Sequence, residues 1–257
     1  ATQLSGFMDY QVTQAWTWEH MALTRARVIS GPPGLRKAIE AAIRDTLCLK
    51  RDANEVAASV RDMRARIVKE KGTDNIWDLK QVAGGLVDIE FTAQYLQLIH
   101  AHANPEILDQ NTARALAKLR EAGLIEREAA ARLLHALELI NNLTQIMRLC
   151  SDETFSPEKS PNGLKALLAR VGNAPSFDVL EANLQDALAE SHAVYKAVVG
   201  DGQAVPPDEQ AALHLSGQGG EHTAVQVHGG LVHALTPGVG PVDHPEQLDA
   251  GRVVLCG

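Results

Sequence analysis

Apolar side chains recur every three or four residues through most of the first 200 positions, and this spacing constrains the fold more than any other feature. One stripe contains Leu35, Ile39 and Leu47, and a later one contains Leu180 and Leu184. This period is that of an α-helix with one buried face. No segment in this part alternates with period two for long enough to predict a strand. We therefore predict an all-α protein, a multi-helix bundle of about seven or eight helices.

Glycine, proline and serine residues predict where these helices begin and end. Pro33 suits the first turn of a helix, and Ser176 is placed to cap the last one. Gly172 is expected to end the helix before it. Residues 5–30 contain only one glycine, at position 6, and no proline, so they are predicted to be largely helical. Residues 72–85 form the longest irregular stretch of the body.

The composition changes near Gly200. The 57 residues that follow contain one basic residue, Arg252, against seven acidic ones, and they hold half of the ten histidines and half of the twenty glycines. Only 224–228 and 231–235 in this part look like short strands. We expect 201–257 to be an irregular C-terminal tail, either disordered or foreign to the natural protein.

Charge and composition exclude several classes of function. The net charge of −8 gives no basic surface for nucleic acid, and no run of eighteen apolar residues predicts a membrane span. The three cysteines are far apart and form no CxxC, so a disulfide framework or a zinc site is not expected and the cytoplasm is the predicted location. No metal site is predicted, because the tail histidines have no metal-ligand spacing.

The segment from 79 to 91 contains the clearest candidates for chemistry. Gly84 and Gly85 precede a helix whose first backbone N–H groups could hold a phosphate, with Lys80 adding a positive charge. A flexible turn into a helix is the alternative reading. Asp88 and Glu90 are two residues apart, so on a helix they point about 200° from each other and cannot share one ion.

Helix geometry also predicts the positions of two further sets of polar side chains. Glu90, Gln94 and Gln97 share one helix face, which would line a cleft or face solvent. Three arginines, at positions 61, 64 and 66, lie beside the apolar stripe of the helix predicted over 52–70 and are expected to be solvated.

Residues 15–27, AWTWEHMALTRAR, concentrate tryptophan, histidine and arginine on one predicted helix. Arg25 and Arg27 could contact phosphates, because a guanidinium binds them through two parallel hydrogen bonds. On one helix the two side chains point about 200° apart, so at most one would reach a given phosphate. Packing and surface ion pairs are the competing explanation.

Two regions of the chain together resemble a known family. Residues 15–27 and 78–80 (DLK), followed by 84–91 (GGLVDIEF) and 94–96 (QYL), are similar to the C-terminal, adenylylating half of the bifunctional glutamine synthetase adenylyltransferase/adenylyl-removing enzymes. The resemblance covers roughly residues 1–200. It implies that 1–72 form the end of a nucleotidyltransferase domain, that 73–200 form a C-terminal helical bundle domain, and that 201–257 lie outside the family pattern.

The resemblance also implies a function. Enzymes of this family move AMP from ATP to a tyrosine of glutamine synthetase, with Mg²⁺, and remove it by phosphorolysis; the PII signal protein is a partner. The metal-binding carboxylates of the family lie upstream of the residues similar to 15–27. We therefore expect this chain alone to be inactive and to need no cofactor. A non-catalytic helical module that binds glutamine synthetase or PII is the alternative, and the codons upstream of Ala1 would distinguish the two.

Overall fold

Nine α-helices make up most of the chain described by the computed structural model, which covers residues 3–150, 155–200 and three two-residue strands beyond them. The helices are α1 (Leu4–Thr13), α2 (Thr17–Leu23), α3 (Pro33–Leu47), α4 (Ala53–Lys71), α5 (Leu86–His100), α6 (Thr112–Glu121), α7 (Arg127–Cys150), α8 (Asn162–Val171) and α9 (Phe177–Val199), with a 3-10 turn at Pro105–Ile107. The strands are β1 (Arg27–Val28), β2 (Val227–His228), β3 (Leu231–Val232) and β4 (Leu255–Cys256). The predicted all-α bundle is confirmed.

Local capping explains most of the helix ends. Pro33 is the first residue of α3, and Gly172 follows the last residue of α8. The Ser176 hydroxyl accepts a hydrogen bond from the Val179 amide at 3.3 Å, as the sequence predicted. The Asp52 carboxylate starts α4 by accepting hydrogen bonds from two backbone amides in its first turn. Such caps satisfy amides that have no partner within the helix.

Residues 5–30 are largely helical, as predicted, but they form two helices, α1 and α2, followed by the short strand β1. The amides of Gln14 and Ala15 both donate to the Tyr10 carbonyl, which ends α1. The Glu19 carboxylate then accepts hydrogen bonds from the Trp16 amide at 2.8 Å and from the Tyr10 hydroxyl at 2.6 Å. The Glu19 side chain thus caps the start of a new helix. The prediction that Arg25 and Arg27 lie on one helix is therefore wrong.

Helix α5 lies at the centre of the bundle and packs against α2, α4, α6, α7 and α9. Its residues Ile89 and Leu98 are fully buried, as are Val60 of α4 and Leu184 of α9. These side chains belong to one continuous hydrophobic cluster. The hydrophobic core therefore extends across the domain boundary that the family resemblance implies between residues 72 and 73.

Of residues 201–257, the structure describes only the strands β2, β3 and β4. β2 and β3 pair with each other and fall within the two segments that looked strand-like, and β4 pairs antiparallel with β1. The remaining expectation of an irregular or disordered tail over 201–257 lies outside the described residues. Among the helices that the structure describes, none has the length and apolarity needed to cross a membrane.

Candidate functional site

Asp88 in the first turn of α5 is fully buried and is bound from three directions. Its Oδ1 accepts a hydrogen bond from Arg64 Nε at 2.5 Å. Its Oδ2 accepts the Gly84 amide at 2.6 Å and lies 2.9 Å from His192 Nδ1. The carboxylate thus joins α4, the turn before α5, α5 itself and α9. A buried carboxylate of this kind is stable only because its charge is paired and its lone pairs are used.

Arg64 also holds the turn that leads into α5. Its Nη2 donates to the carbonyls of Gln81 and Val82 at 3.1 and 3.3 Å. The prediction that Arg64 is solvated is wrong, since only 8% of its side chain is exposed. The sequence did contain an indication that Arg64 is buried, because Arg64 lies one helical turn after Val60 and so on the same apolar face. Arg61 beside it donates to the Val199 carbonyl at 2.7 Å and so ties α4 to the end of α9.

The α9 side of this cluster contains Tyr195, which is buried close to Asp88. Burial, reinforced by the negative charge of Asp88, raises the pKa of Tyr195 to about 12. Its hydroxyl is therefore neutral at physiological pH. His192, which sequence reasoning did not single out, stacks beside the Tyr195 ring with centroids 6.2 Å apart. No sequence signal distinguished His192 from an ordinary polar residue on a helix.

Gly84 and Gly85 allow the chain to turn tightly against α9. Gly84 has φ +77°, and a Cβ at this position would lie 1.8 Å from the Leu188 carbonyl oxygen. The Gly84 amide donates to Asp88, and the Gly85 amide donates to the Val82 carbonyl at 2.9 Å. Both amides are thus used within the protein. The structure accounts for these glycines by close packing, so their role in binding phosphate stays a prediction without geometric support.

Arg25, Lys80 and Glu90 come together on the other side of α5. Arg25, in the turn after α2, forms an ion pair with Glu90 in which Nη1 and Oε1 are 2.7 Å apart. Only 15% of the Glu90 side chain is exposed. Burial raises the pKa of Glu90, while the positive charges of Arg25 and Lys80 act in the opposite direction. Lys80 is exposed, so its ammonium group can reach a ligand.

Asp88 and Glu90 lie on different sides of α5 with different partners, as helix geometry predicted, and they do not fit a shared Mg²⁺ site. Each carboxylate is already neutralised by an arginine, Arg64 for Asp88 and Arg25 for Glu90. Within residues 3–150 and 155–200, no group of three or more histidine, cysteine, aspartate or glutamate side chains is arranged to hold a metal ion. We therefore derive no metal-dependent step from these residues.

The polar side chains that follow Glu90 on the same face of α5 are buried. Gln94 is 7% exposed and Gln97 is 2% exposed, so neither faces solvent. The Gln97 Oε1 atom accepts the Asp109 amide at 2.9 Å and fixes the loop before α6. Gln94 therefore belongs to the packed interior and not to an open surface.

His20 joins α1, α2 and the end of α3. Its Nε2 lies 3.0 Å from the Gln11 carbonyl, and Arg51 Nη2 lies 3.3 Å from its Nδ1. Burial, together with the positive charge of Arg51, lowers the pKa of His20, so the ring is neutral. A neutral ring with an arginine donor at Nδ1 carries its proton on Nε2 and donates it to Gln11. This network positions the segment that contains Arg25.

Arg27 is separated from Arg25 and contacts different parts of the protein. It lies in β1, its side chain is exposed, and it lines a groove with Arg44 of α3 and Arg114 of α6. Of the candidates from the sequence, the structure thus brings Arg25, Lys80 and Glu90 together. It places Asp88, Gly84 and Gly85 in a second, buried cluster and leaves Arg27 apart.

Comparison with known proteins gives two family matches. The family described as glutamate-ammonia ligase adenylyltransferase matches residues 1–42, and the family described as GlnD PII-uridylyltransferase matches residues 54–156. The first match contains α2 and Arg25, and the second contains α5 with Asp88 and Arg64 but not His192. The two matched regions pack against each other in the fold.

Individual relatives are similar over a longer region. A protein of Rhodopseudomonas palustris strain CGA009 is 47% identical over 200 residues, and one of Bradyrhizobium strain ORS 278 is 46% identical over 199 residues. A protein of Xanthobacter autotrophicus is 46% identical over 203 residues. All three are bifunctional glutamine synthetase adenylyltransferase/adenylyl-removing enzymes. The matches cover 77–78% of this chain but 20% of each relative, so the chain spans about one fifth of their length.

Identity at this level over most of the chain, together with the match of residues 1–42 to the adenylyltransferase family, establishes common ancestry. Over most of its length the chain is therefore similar to one part of the bifunctional glutamine synthetase adenylyltransferase/adenylyl-removing enzymes.

Proposed function

We propose that this chain is the C-terminal part of the adenylylating half of such an enzyme. The parent would transfer AMP from ATP to a tyrosine of glutamine synthetase and remove it by phosphorolysis, thereby regulating nitrogen assimilation. The support is the 45–47% identity to relatives that carry these two activities in their names. Because the chain spans one fifth of those relatives, the complete activity is proposed for the parent.

The observation that carries the proposal is the ion pair between Arg25 and Glu90. It joins the two stretches that resemble the family, 15–27 and 78–96, although 65 positions separate the two residues. An ion pair with one largely buried partner needs good geometry to be stable, so it fixes the α2 turn against α5. In this arrangement Lys80 stands exposed beside Glu90.

Within the parent we propose different roles for the two cations. Lys80 contacts the phosphates of the bound nucleotide, because its side chain is exposed and adds a positive charge close to Glu90. Arg25 acts as a positioning residue through Glu90. ATP is the proposed nucleotide, and Mg²⁺ would be held by residues of the parent outside the clusters described above.

Domains and partners are proposed on the same basis. Residues 1–72 would complete a nucleotidyltransferase domain and 73–200 would form the helical domain that follows, the two sharing one core. Glutamine synthetase is the proposed target, and the PII signal protein is the proposed regulator. The cytoplasm, where such a target is found, is the proposed location.

The test is carried out in the full-length parent. Lys80→Ala should lower kcat/KM for adenylylation on the order of 10²-fold, about 2.7 kcal/mol, if the lysine contacts phosphate in the transition state. Lys37→Ala is the matched control, since Lys37 is an exposed lysine on α3 without a described partner. If Lys80→Ala retains activity within about threefold, roughly 0.65 kcal/mol, the phosphate contact is refuted.

A further inference from the structure

The imidazole of His20 joins the first three helices of the fold at a single buried contact. His20 lies on α2, and its Nε2 is 3.0 Å from the Gln11 carbonyl of α1. Its Nδ1 is 3.3 Å from Nη2 of Arg51, which lies in the loop after α3. The neutral ring therefore uses both nitrogen atoms, Nε2 as a donor to a carbonyl and Nδ1 as the acceptor of an N–H group from a guanidinium.

The guanidinium of Arg51 also closes the end of α3. Its Nη2 donates to the Thr46 carbonyl at 2.7 Å, and its Nη1 donates to the carbonyls of Leu47 and Leu49 at 3.0 and 2.9 Å. The last carbonyls of a helix lack the amide partners that a next turn would supply, so a guanidinium that donates to them stabilises the helix end. Arg51 thus couples the end of α3 to α2 through His20.

A second proton on the ring is incompatible with this contact. The proton would bind at Nδ1, so that an N–H of His20 would face an N–H of Arg51 with no acceptor between them. Two positive charges would then lie on side chains whose nitrogen atoms are 3.3 Å apart. Like charges at this distance repel strongly where water is largely excluded, so protonation has to separate the two side chains.

Burial and Arg51 decide the protonation state of the ring. Together they lower the pKa of His20, although the Gln11 carbonyl and the negative charge of Glu19 act in the opposite direction. Tyr10 of α1 donates a hydrogen bond to Glu19, and burial and this bond raise the pKa of Tyr10 to about 12, so its hydroxyl stays neutral.

Helices α3, α4 and α5 also pack against α2, and their ionisable side chains do not replace Arg51 beside the ring. Those with other environments or partners are Arg44 and Asp45, exposed on α3, Asp52, which caps α4, Arg64 of α4, paired with Asp88, and Glu90 of α5, paired with Arg25. Arg51 is thus the cation that a protonated His20 would meet.

We propose that the contact between His20 and Arg51 is a pH-sensitive latch, which holds α1 and α2 on the end of α3 while the ring is neutral and releases them when the ring is protonated. α2 leads into the turn that carries Arg25, so release of α2 also loosens the ion pair between Arg25 and Glu90. The latch goes beyond the proposed adenylyl transfer and does not depend on it, because its test measures the fold of the chain and needs no activity.

The direction and size of the effect follow from the linkage between protonation and opening. In the open form the ring is solvated and its pKa has the ordinary value of 6.5, whereas burial and Arg51 lower the pKa in the closed form. The closed form keeps its full advantage above pH about 6.5 and loses it as the pH falls through the lowered pKa. Between these two values, each unit of falling pH should raise the population of the open form about tenfold.

Hydrogen exchange of the full 257-residue chain, read by mass spectrometry and corrected for the intrinsic rate at each pH, measures this population. Exchange in α1 and α2 should accelerate about tenfold from pH about 7.5 to about 5.5, and exchange in α7 should not change.

His20→Gln is the critical variant, because its amide can donate to Gln11 and accept from Arg51 as the neutral ring does but does not titrate in this range. It should show no acceleration. His135→Gln, which removes an exposed histidine on α7, is the matched control and should behave as the wild-type chain does.

Three results would overturn the latch. Exchange in α1 and α2 that is independent of pH is one, and an acceleration in His20→Gln equal to that of the wild type is another, because a different group would then be titrating. An equal acceleration in α7 is the third, because it would show unfolding of the whole chain. If far-UV circular dichroism shows that His20→Gln is unfolded, an NMR titration of the wild-type imidazole decides, and a pKa of His20 at or above 6.5 refutes the proposal.

Discussion

Arg64 Nε donates a hydrogen bond to Asp88 Oδ1, and both side chains are buried although they lie on different helices. The pair connects α4 to α5 at the point where the chain turns under α9. Replacing either partner alone leaves a charge in the interior, which costs about 3–5 kcal/mol in comparable buried pairs. The stability of the bundle should therefore depend strongly on this contact.

Asp88→Asn should lower the free energy of unfolding by about 3–5 kcal/mol, because Arg64 would lose its counter-charge. Urea denaturation followed by circular dichroism measures this. Asp74→Asn, at an exposed loop position, is the control and should change stability by less than about 0.5 kcal/mol. In the Asp88→Asn background, Arg64→Met should cost less than it does in the wild-type protein. A cost below about 1 kcal/mol for Asp88→Asn would mean that the pair contributes little.

Gly84→Ala should destabilise the protein far more than Gly123→Ala. The two glycines have similar backbone angles, φ +77° and φ +70°, so both substitutions carry a similar conformational cost of about 1–2 kcal/mol. Only at Gly84 would the new Cβ meet backbone, 1.8 Å from the Leu188 carbonyl oxygen, while nothing lies within 4 Å of it at Gly123. The difference between their melting temperatures isolates the close contact between the turn and α9. Equal melting temperatures would contradict this packing.

The stability contributed by Asp109 should disappear in acid. Burial alone would raise its pKa, but hydrogen bonds from Arg114, the Asn111 amide and Lys118 lower the pKa of Asp109 to about 2. In the unfolded chain the pKa of Asp109 has its ordinary value of 3.8. On acidification the carboxylate is therefore protonated in the unfolded state before it is protonated in the folded state. The contribution is therefore complete above pH about 4 and is lost as the pH falls to about 2.

Urea denaturation of the wild-type protein and Asp109→Asn at several pH values tests this. The difference in unfolding free energy between the two proteins should be largest near neutral pH and should shrink across the window from pH about 4 to about 2. Other carboxylates titrate in both proteins, so their effects cancel in the difference. A difference that stays constant with pH would show that Asp109 is not held in its ionised form by these contacts.

The purified chain, incubated with glutamine synthetase, Mg²⁺ and labelled ATP, should leave the synthetase unlabelled. The reason is the resemblance, which places the metal-binding carboxylates of the family before the residues similar to 15–27. The full-length parent serves as the positive control in the same assay. Mg²⁺-dependent labelling by the chain alone would show that its active site lies within residues 1–257.

Much of the helical framework followed from local chemistry. Pro33 and Ser176 mark helix starts because a fixed φ and a hydroxyl acceptor act within a single turn, whatever the rest of the chain does. The spacing of Asp88 and Glu90 likewise sufficed to place them on different sides of α5. The division of 5–30 was missed, because it depends on the Glu19 side chain capping the Trp16 amide and not on glycine or proline.

The sequence by itself determined the fold class, several helix ends and the resemblance to the adenylyltransferases, because helical period, capping by proline or serine, and similarity depend only on the order of residues. Only the tertiary structure decided which partner each polar side chain has. Arg64 and His192 reach Asp88 from helices distant in the chain, and Arg25 reaches Glu90 while Arg27 does not. These pairings depend on how α2, α4 and α9 pack around α5, and the helical period specifies the buried face of each helix but not the neighbour against which that face packs.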